Sequence, residues 1–318
     1  MPPDSPFDFD AAVGSPFRMQ PGLRRLAAGA TQLTPLVGGS RHQREKLAVL
    51  SAFANQALLA RPGFDATPAL HALAAHAAAE HPQAFAWDGR RAEAKGLATA
   101  VQDDAAEQLG AGSFGLGDEI ARCLHGLPAG WRLAGLLSLA FAEDFAIVDG
   151  ADATIPWLAV ALPSHWAPEE KIGRHFAEVH APVADNRLLL AASESLTRLV
   201  TGTERWERFV WNVVRSPRLH GHPDRLDTAP WRDWDWPAGA WWRTERQTFI
   251  PLPASRQAVF TILVETQPLA QAIATPERAV KLHAAIASMS PAVLDYRGLT
   301  GVREPLLAGL ARIAERTG

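Results

Sequence analysis

Two strand-forming stretches near the end of the chain, Trp241 to Ile250 and Gln257 to Glu265, flank the turn Pro-Leu-Pro-Ala-Ser-Arg at 251–256. Two strands joined by so short a connection can only pair as a hairpin, so the chain must build an antiparallel sheet. A third strand, Arg205 to Val214, precedes them, with aromatic and polar residues alternating. On that strand Trp206, Arg208 and Val210 share one face, and Phe209 and Trp211 the other. On the hairpin, Glu245 and Gln247 share a face and Arg246 takes the opposite one.

Further upstream, Leu133 to Phe141 and Phe145 to Val148 read as a hairpin or two consecutive strands around Glu143-Asp144, and Ile155 to Leu162 as another strand. Pro168 to Phe176 and Asn186 to Val200 read as helices. The final helices are Pro276 to Met289 and Arg303 to Glu315. Residues 1–127 read as helical: Arg41 to Ala60 has helix-spaced apolar residues, Ala66 to Glu80 is Ala-rich with Thr67 as cap and Pro68 in its first turn, and Ala92 to Leu109 ends in glycines. A short helix, Asp118 to Leu124, closes that region. Strands and helices segregated in this way predict an α+β class. The expected organisation is a helical region, 1–127, packed on a sheet domain, 128–318.

Composition narrows the function. With 31 basic and 34 acidic residues the net charge is -3, which offers nothing to nucleic acid or an anionic membrane. The single cysteine, Cys123, rules out an internal disulfide or an all-thiolate metal centre within this chain; its apolar surroundings predict a buried, inert thiol. The opening residues are not signal-like, and the longest apolar run is too short to span a bilayer, which points to the cytoplasm. Gly-rich phosphate loops, dinucleotide fingerprints and nucleophile elbows are missing from the sequence. Of the 11 Trp, five fall between Trp231 and Trp242. Such a cluster can line a pocket for a flat or cationic ligand, although an aromatic lid over the sheet edge is the plainer reading. His220 and His222 sit at i and i+2 without an evident third ligand and read as exposed loop histidines.

Several collinear segments resemble one family, the PAS-fold haem-dependent oxidative N-demethylases. They are Ser15-Pro16-Phe17-Arg18 with Pro21-Gly22-Leu23, Glu143-Asp144-Phe145, Pro163-Ser164-His165-Trp166, Lys171-Ile172-Gly173, Val179-His180-Ala181-Pro182-Val183, Arg208-Phe209-Val210-Trp211, Trp242 to Thr248, Pro251-Leu252-Pro253, Phe260-Thr261-Ile262 and Tyr296-Arg297-Gly298. The chain departs from the family pattern at Ala184, Val210 and Arg297, where the family has Pro, Asn and Lys.

The resemblance implies a PAS-like, five-stranded antiparallel sheet with a helical insert, gripping haem b. It makes His180 the axial iron ligand, the alternative being a histidine satisfied by backbone in a tight turn. Arg208 would polarise dioxygen, or else pair with a haem propionate or a surface acid. Of Glu143 and Asp144, at most one could face the pocket and balance an ammonium; a solvated hairpin turn is the competing reading. Lys171, Arg174, His175 and Arg246 are potential propionate partners, and Trp211 and Trp242 potential cofactor walls. The implied reaction is demethylation of a small methylated amine, with electrons from a separate reductase carrying the flavin and the iron–sulfur centre. Two rival readings are a non-catalytic haem sensor or carrier, and a degenerate homologue that binds no haem.

Overall fold

The computed structural model describes residues 7–111, 117–226, 231 and 239–315. Its strands are β1 (Arg24–Arg25), β2 (Leu58–Ala60), β3 (Phe85–Trp87), β4 (Arg91–Ala94), β5 (Thr99–Gln102), β6 (Ala105–Gln108), β7 (Asp144–Asp149), β8 (Thr154–Ala159), β9 (Trp206–Val214), β10 (Trp241–Leu252) and β11 (Gln257–Pro268). They form a seven-stranded sheet in the order β1-β9-β10-β11-β7-β8-β2 and a four-stranded sheet in the order β3-β4-β5-β6. The mixture of helices and antiparallel sheets is α+β, as the element pattern predicts.

The expected hairpin is the centre of the large sheet. β10 and β11 pair over their whole length, from Trp241 opposite Pro268 to Leu252 opposite Gln257. A 3-10 turn, Pro253–Ser255, reverses the chain, and Arg256 closes it with φ +53°. Of the strands expected after residue 128, Phe145 to Val148, Ile155 to Leu162, Arg205 to Val214 and the two hairpin arms correspond to β7 to β11. The sheet is widened at its two edges by β1 and β2, which come from the N-terminal region.

Two stretches fold against expectation. Leu133 to Phe141 is not a strand: Arg132–Ala140 is a helix whose residues from Ala134 to Ala140 are all buried. A helix enclosed on all sides loses its polar face, and periodicity cannot then distinguish it from a buried strand. Its content of Leu and Ala, with no β-branched residue, favours the helix. Ala92 to Leu109 is not a helix: it is β4, β5 and β6. Asp103 and Asp104, with φ +47° and +63°, make the left-handed two-residue turn of a hairpin. Ala92 and Ala94 share a buried face with their partners Val101 and Thr99, so here tertiary packing overrides alanine's helical preference.

One apolar core lies between the small sheet, the helices Thr67–Glu80 and Arg132–Ala140, and the large sheet. Cys123 is buried in it, and burial pushes its thiol pKa up. A second core joins Trp211 and Trp242 to the helices Pro276–Ala287 and Arg303–Ala314. Each large apolar side chain enclosed in these cores contributes about 1.5–3 kcal/mol. The chain between β8 and β9 instead crosses one face of the large sheet in short helices: Phe176–His180, Arg187–Ala191 and Ser193–Val200. Of the helices expected there, Pro168 to Phe176 is only a 3-10 turn at Pro168–Glu170, and Asn186 to Val200 breaks at Ala192.

Candidate functional site

Between the sheet and this crossing segment lies a cavity of about 340 Å³. Its floor is the alternating face of the sheet: Arg208, Val210 and Asn212 of β9, Arg243, Glu245 and Gln247 of β10, Phe260 and Ile262 of β11. The register sets Glu245 opposite Val210 and Gln247 opposite Arg208, so these side chains emerge side by side. The roof brings His165, Trp166, Lys171, Phe176, Val179 and His180, and Tyr296 and Arg297 close one end. Met19, Pro21 and Leu23 also reach the wall.

His180 ends the helix Phe176–His180, which His175 and Glu178 start with a reciprocal capping box. The His180 Nδ1 lies 2.8 Å from the Phe176 carbonyl oxygen. A carbonyl only accepts, so Nδ1 carries the hydrogen and Nε2 keeps a bare lone pair. The Phe176 ring packs against the imidazole with centroids 4.2 Å apart, and the Asn186 Nδ2 donates to the His180 carbonyl at 3.1 Å. Burial pushes the imidazole pKa down to about 4, reinforced by the charges of Arg208 and Lys171 and partly offset by the bond to Phe176. His180 is therefore neutral, oriented and ligand-competent at neutral pH, the arrangement a metal-binding imidazole needs.

Arg208 rises from the floor with its Nε buried and unbonded. Burial lowers its pKa, against the attraction of Glu245 and Tyr296, yet a guanidinium stays charged. Arg243 spends its donors on the protein. It bonds the Ser164 hydroxyl at 2.8 Å and the carbonyls of Arg218, Leu162, Pro163 and Leu219, which locks the loop carrying His165. Burial pushes its pKa down to about 10. The Glu245 Oε2 accepts from the Gln247 Nε2 at 2.5 Å. Among the described lining residues there are four basic side chains, Lys171, Arg208, Arg243 and Arg297, and one carboxylate, Glu245. Such a wall favours an occupant that is apolar in body and anionic at its edge.

The sequence-chosen residues divide accordingly. His180, Arg208, Lys171 and Trp211 line the cavity, although Trp211 carries its ring on the sheet face opposite Arg208. Glu143 and Asp144 do not line it, and they are not a solvated turn either. Both are 1 % exposed; the Asp144 Oδ1 lies 3.2 Å from the Lys46 Nζ, and the Glu143 Oε2 accepts from the Thr34 N–H at 2.8 Å. Arg246 points to the opposite face, where its Nε bonds Glu207 at 3.0 Å. Trp242 also lies on that face, stacked on Trp211 with centroids 4.9 Å apart. Arg174 is exposed, and His175 serves as the helix cap. Of the Trp231 to Trp242 cluster, Trp234 and Trp236 lie outside the described residues.

His220 and His222 are buried rather than exposed. The His222 Nε2 lies 3.0 Å from Glu169, and its Nδ1 accepts from the Asp224 N–H at 3.2 Å. That places the hydrogen on Nε2, so His222 donates to Glu169 and has no lone pair left for a metal. Glu245, His165, Arg243 and Arg297 are cavity residues that the sequence reading left without a role; strand alternation had grouped Glu245 with Gln247.

Fold and site together define an α+β protein with a cationic cavity that presents a neutral imidazole. The chain belongs to the haem-dependent oxidative N-demethylase, alpha subunit-like family, whose model matches residues 56–307. A shorter likeness, 30% identity over 115 residues, links it to the ribosomal RNA small subunit methyltransferase G of Synechococcus sp. (strain JA-3-3Ab); it covers 35% of this chain and 40% of that protein. Among the described residues no helix is long and apolar enough to cross a membrane.

Proposed function

We propose that the cavity between the sheet and the crossing segment binds haem b through His180, and that the chain, with a PAS-like core in residues 128–318, demethylates a small methylated amine. The observation that carries this reading is the free Nε2 of a half-buried, neutral His180 facing a wall with four cations and one carboxylate. When bound, the haem would supply the redox chemistry by which dioxygen, two electrons and two protons convert an N-methyl group to formaldehyde and the shortened amine, with water as the other product. The protein's part follows from its own groups. Phe176 holds the imidazole tautomer that leaves Nε2 open. Arg208, whose buried Nε–H has no partner, would stabilise negative charge that develops beside it in a dry site. Glu245, rather than Glu143 or Asp144, balances a bound ammonium. Burial by Val179, Phe260 and Ile262 excludes water. The electrons come from a separate reductase carrying the flavin and the iron–sulfur centre, and we place the protein in the cytoplasm.

The test is amine-dependent formaldehyde release by haem-loaded protein supplied with electrons by a ferredoxin–reductase pair. Formaldehyde equal to the methylamine groups lost supports the reading. A haem-loaded protein that releases none with any small methylated amine is a carrier or sensor instead, and a chain that takes up no haem is the degenerate homologue.

A further inference from the structure

Of the four cations around the cavity, Arg243 has its donors spent on backbone and Ser164, and Lys171 gives one of its three to the Val179 carbonyl at 3.3 Å. Arg208 stands beside Glu245. Arg297 remains, and it is built as an anchor. Its Nη1 donates to the Trp211 carbonyl at 2.6 Å, and its own carbonyl accepts from the Asn212 Nδ2 at 3.3 Å. The guanidinium carbon lies 4.6 Å from the Phe17 ring centre and 4.7 Å from that of Trp211, so two aromatic faces hold the plane in place. Burial pushes its pKa down to about 10, and it stays charged at neutral pH. Its Nε is nonetheless buried and unbonded. A buried charged donor without an acceptor is costly unless a ligand supplies one.

We infer that Arg297 binds a carboxylate of the cavity's occupant, which on the haem reading that this inference rests on is a haem propionate. A guanidinium fork matches a carboxylate with two parallel bonds, and its aromatic clamp fixes the direction in which the fork points.

The experiment titrates the full-length protein with haem and with haem dimethyl ester, whose carboxylates are blocked, following the Soret band of the parent, Arg297→Met and Arg297→Lys. The parent is expected to prefer haem by roughly 10- to 100-fold, the factor a charged hydrogen bond gives. Arg297→Met should lose about tenfold or more of that preference, and Arg297→Lys should retain part of it. A merely structural Arg297 would weaken both ligands equally, so an unchanged ratio in Arg297→Met, or no preference in the parent, overturns the assignment while leaving the haem reading intact. A parent that saturates with neither ligand overturns both.

Discussion

Lys46 and Asp144 form an ion pair sealed inside the protein, with Nζ 3.2 Å from Oδ1 and at most 1% of either side chain exposed. The Lys46 Nζ also donates to the carbonyls of Phe141 and Glu143, and the Asp144 Oδ2 accepts from the Leu162 N–H at 2.6 Å. The pair therefore ties the helix Arg41–Ala52 to the start of β7 and the end of the β8 segment. Removing one charge leaves the other buried and uncompensated, which costs about 3–5 kcal/mol. Lys46→Met should lower the unfolding free energy in urea by about that much, and Lys46→Met with Asp144→Asn by less than the sum of the single changes.

Glu143 gives this knot a pH dependence. Burial raises its pKa to about 7, against the Thr34 bonds and the Lys46 charge that pull it down. The folded state therefore holds a proton on Glu143 that the unfolded chain releases near its ordinary value of 4.5. Between these values the native state binds more protons, so this group's contribution to stability falls as pH rises from about 4.5 to about 7. Thermal melts across that window should show a smaller decline for Glu143→Gln than for the parent.

Glu245 is the one carboxylate among the described residues of the cavity wall. Replacing it by Gln keeps the shape and removes the charge that a bound ammonium would face. Haem uptake should be unchanged, while the amine concentration that half-saturates turnover, or an amine-induced Soret shift, should rise roughly 10- to 100-fold. Equal amine affinity in the variant would remove Glu245 from substrate binding.

Gly221 lets the loop carrying His165 pack closely. A Cβ there would lie 2.7 Å from the Pro163 carbonyl and 3.2 Å from the His165 ring, and the backbone oxygen has no freedom to withdraw, since the Gly221 N–H already donates to it. Gly221→Ala should cost about 1–3 kcal/mol in denaturant unfolding and alter the resonances of His165.

Period-two alternation made the sheet readable: β9, β10 and β11 fall where aromatic and β-branched residues alternate with polar ones, and the same rule separated Arg208 from Trp211 and Glu245 from Arg246. Resemblance to the family supplied His180, which spacing alone could not distinguish from a turn histidine. What escaped the sequence depends on contacts far apart in the chain. Lys46 lies about a hundred residues from Glu143 and Asp144, so nothing local shows that the acidic pair faces a lysine instead of a cavity. Arg297 acquires its setting from Phe17 and Trp211, and the burial of His222 from Glu169. The enclosed helix at 132–140 and the alanine-bearing strands at 91–108 carry no periodic polar face to mark them.

The central claim is that His180 presents an open Nε2 to haem iron. The most direct test is the absorption spectrum of purified protein titrated with haem, for the parent and for His180→Ala. The account predicts a saturable, sharp Soret band in the parent that is steady from about pH 5.5 to 8, since an imidazole with its pKa near 4 is neutral throughout, and that is lost or shifted in the variant. A parent that takes up no haem, or a His180→Ala protein with the parent's spectrum, would contradict it.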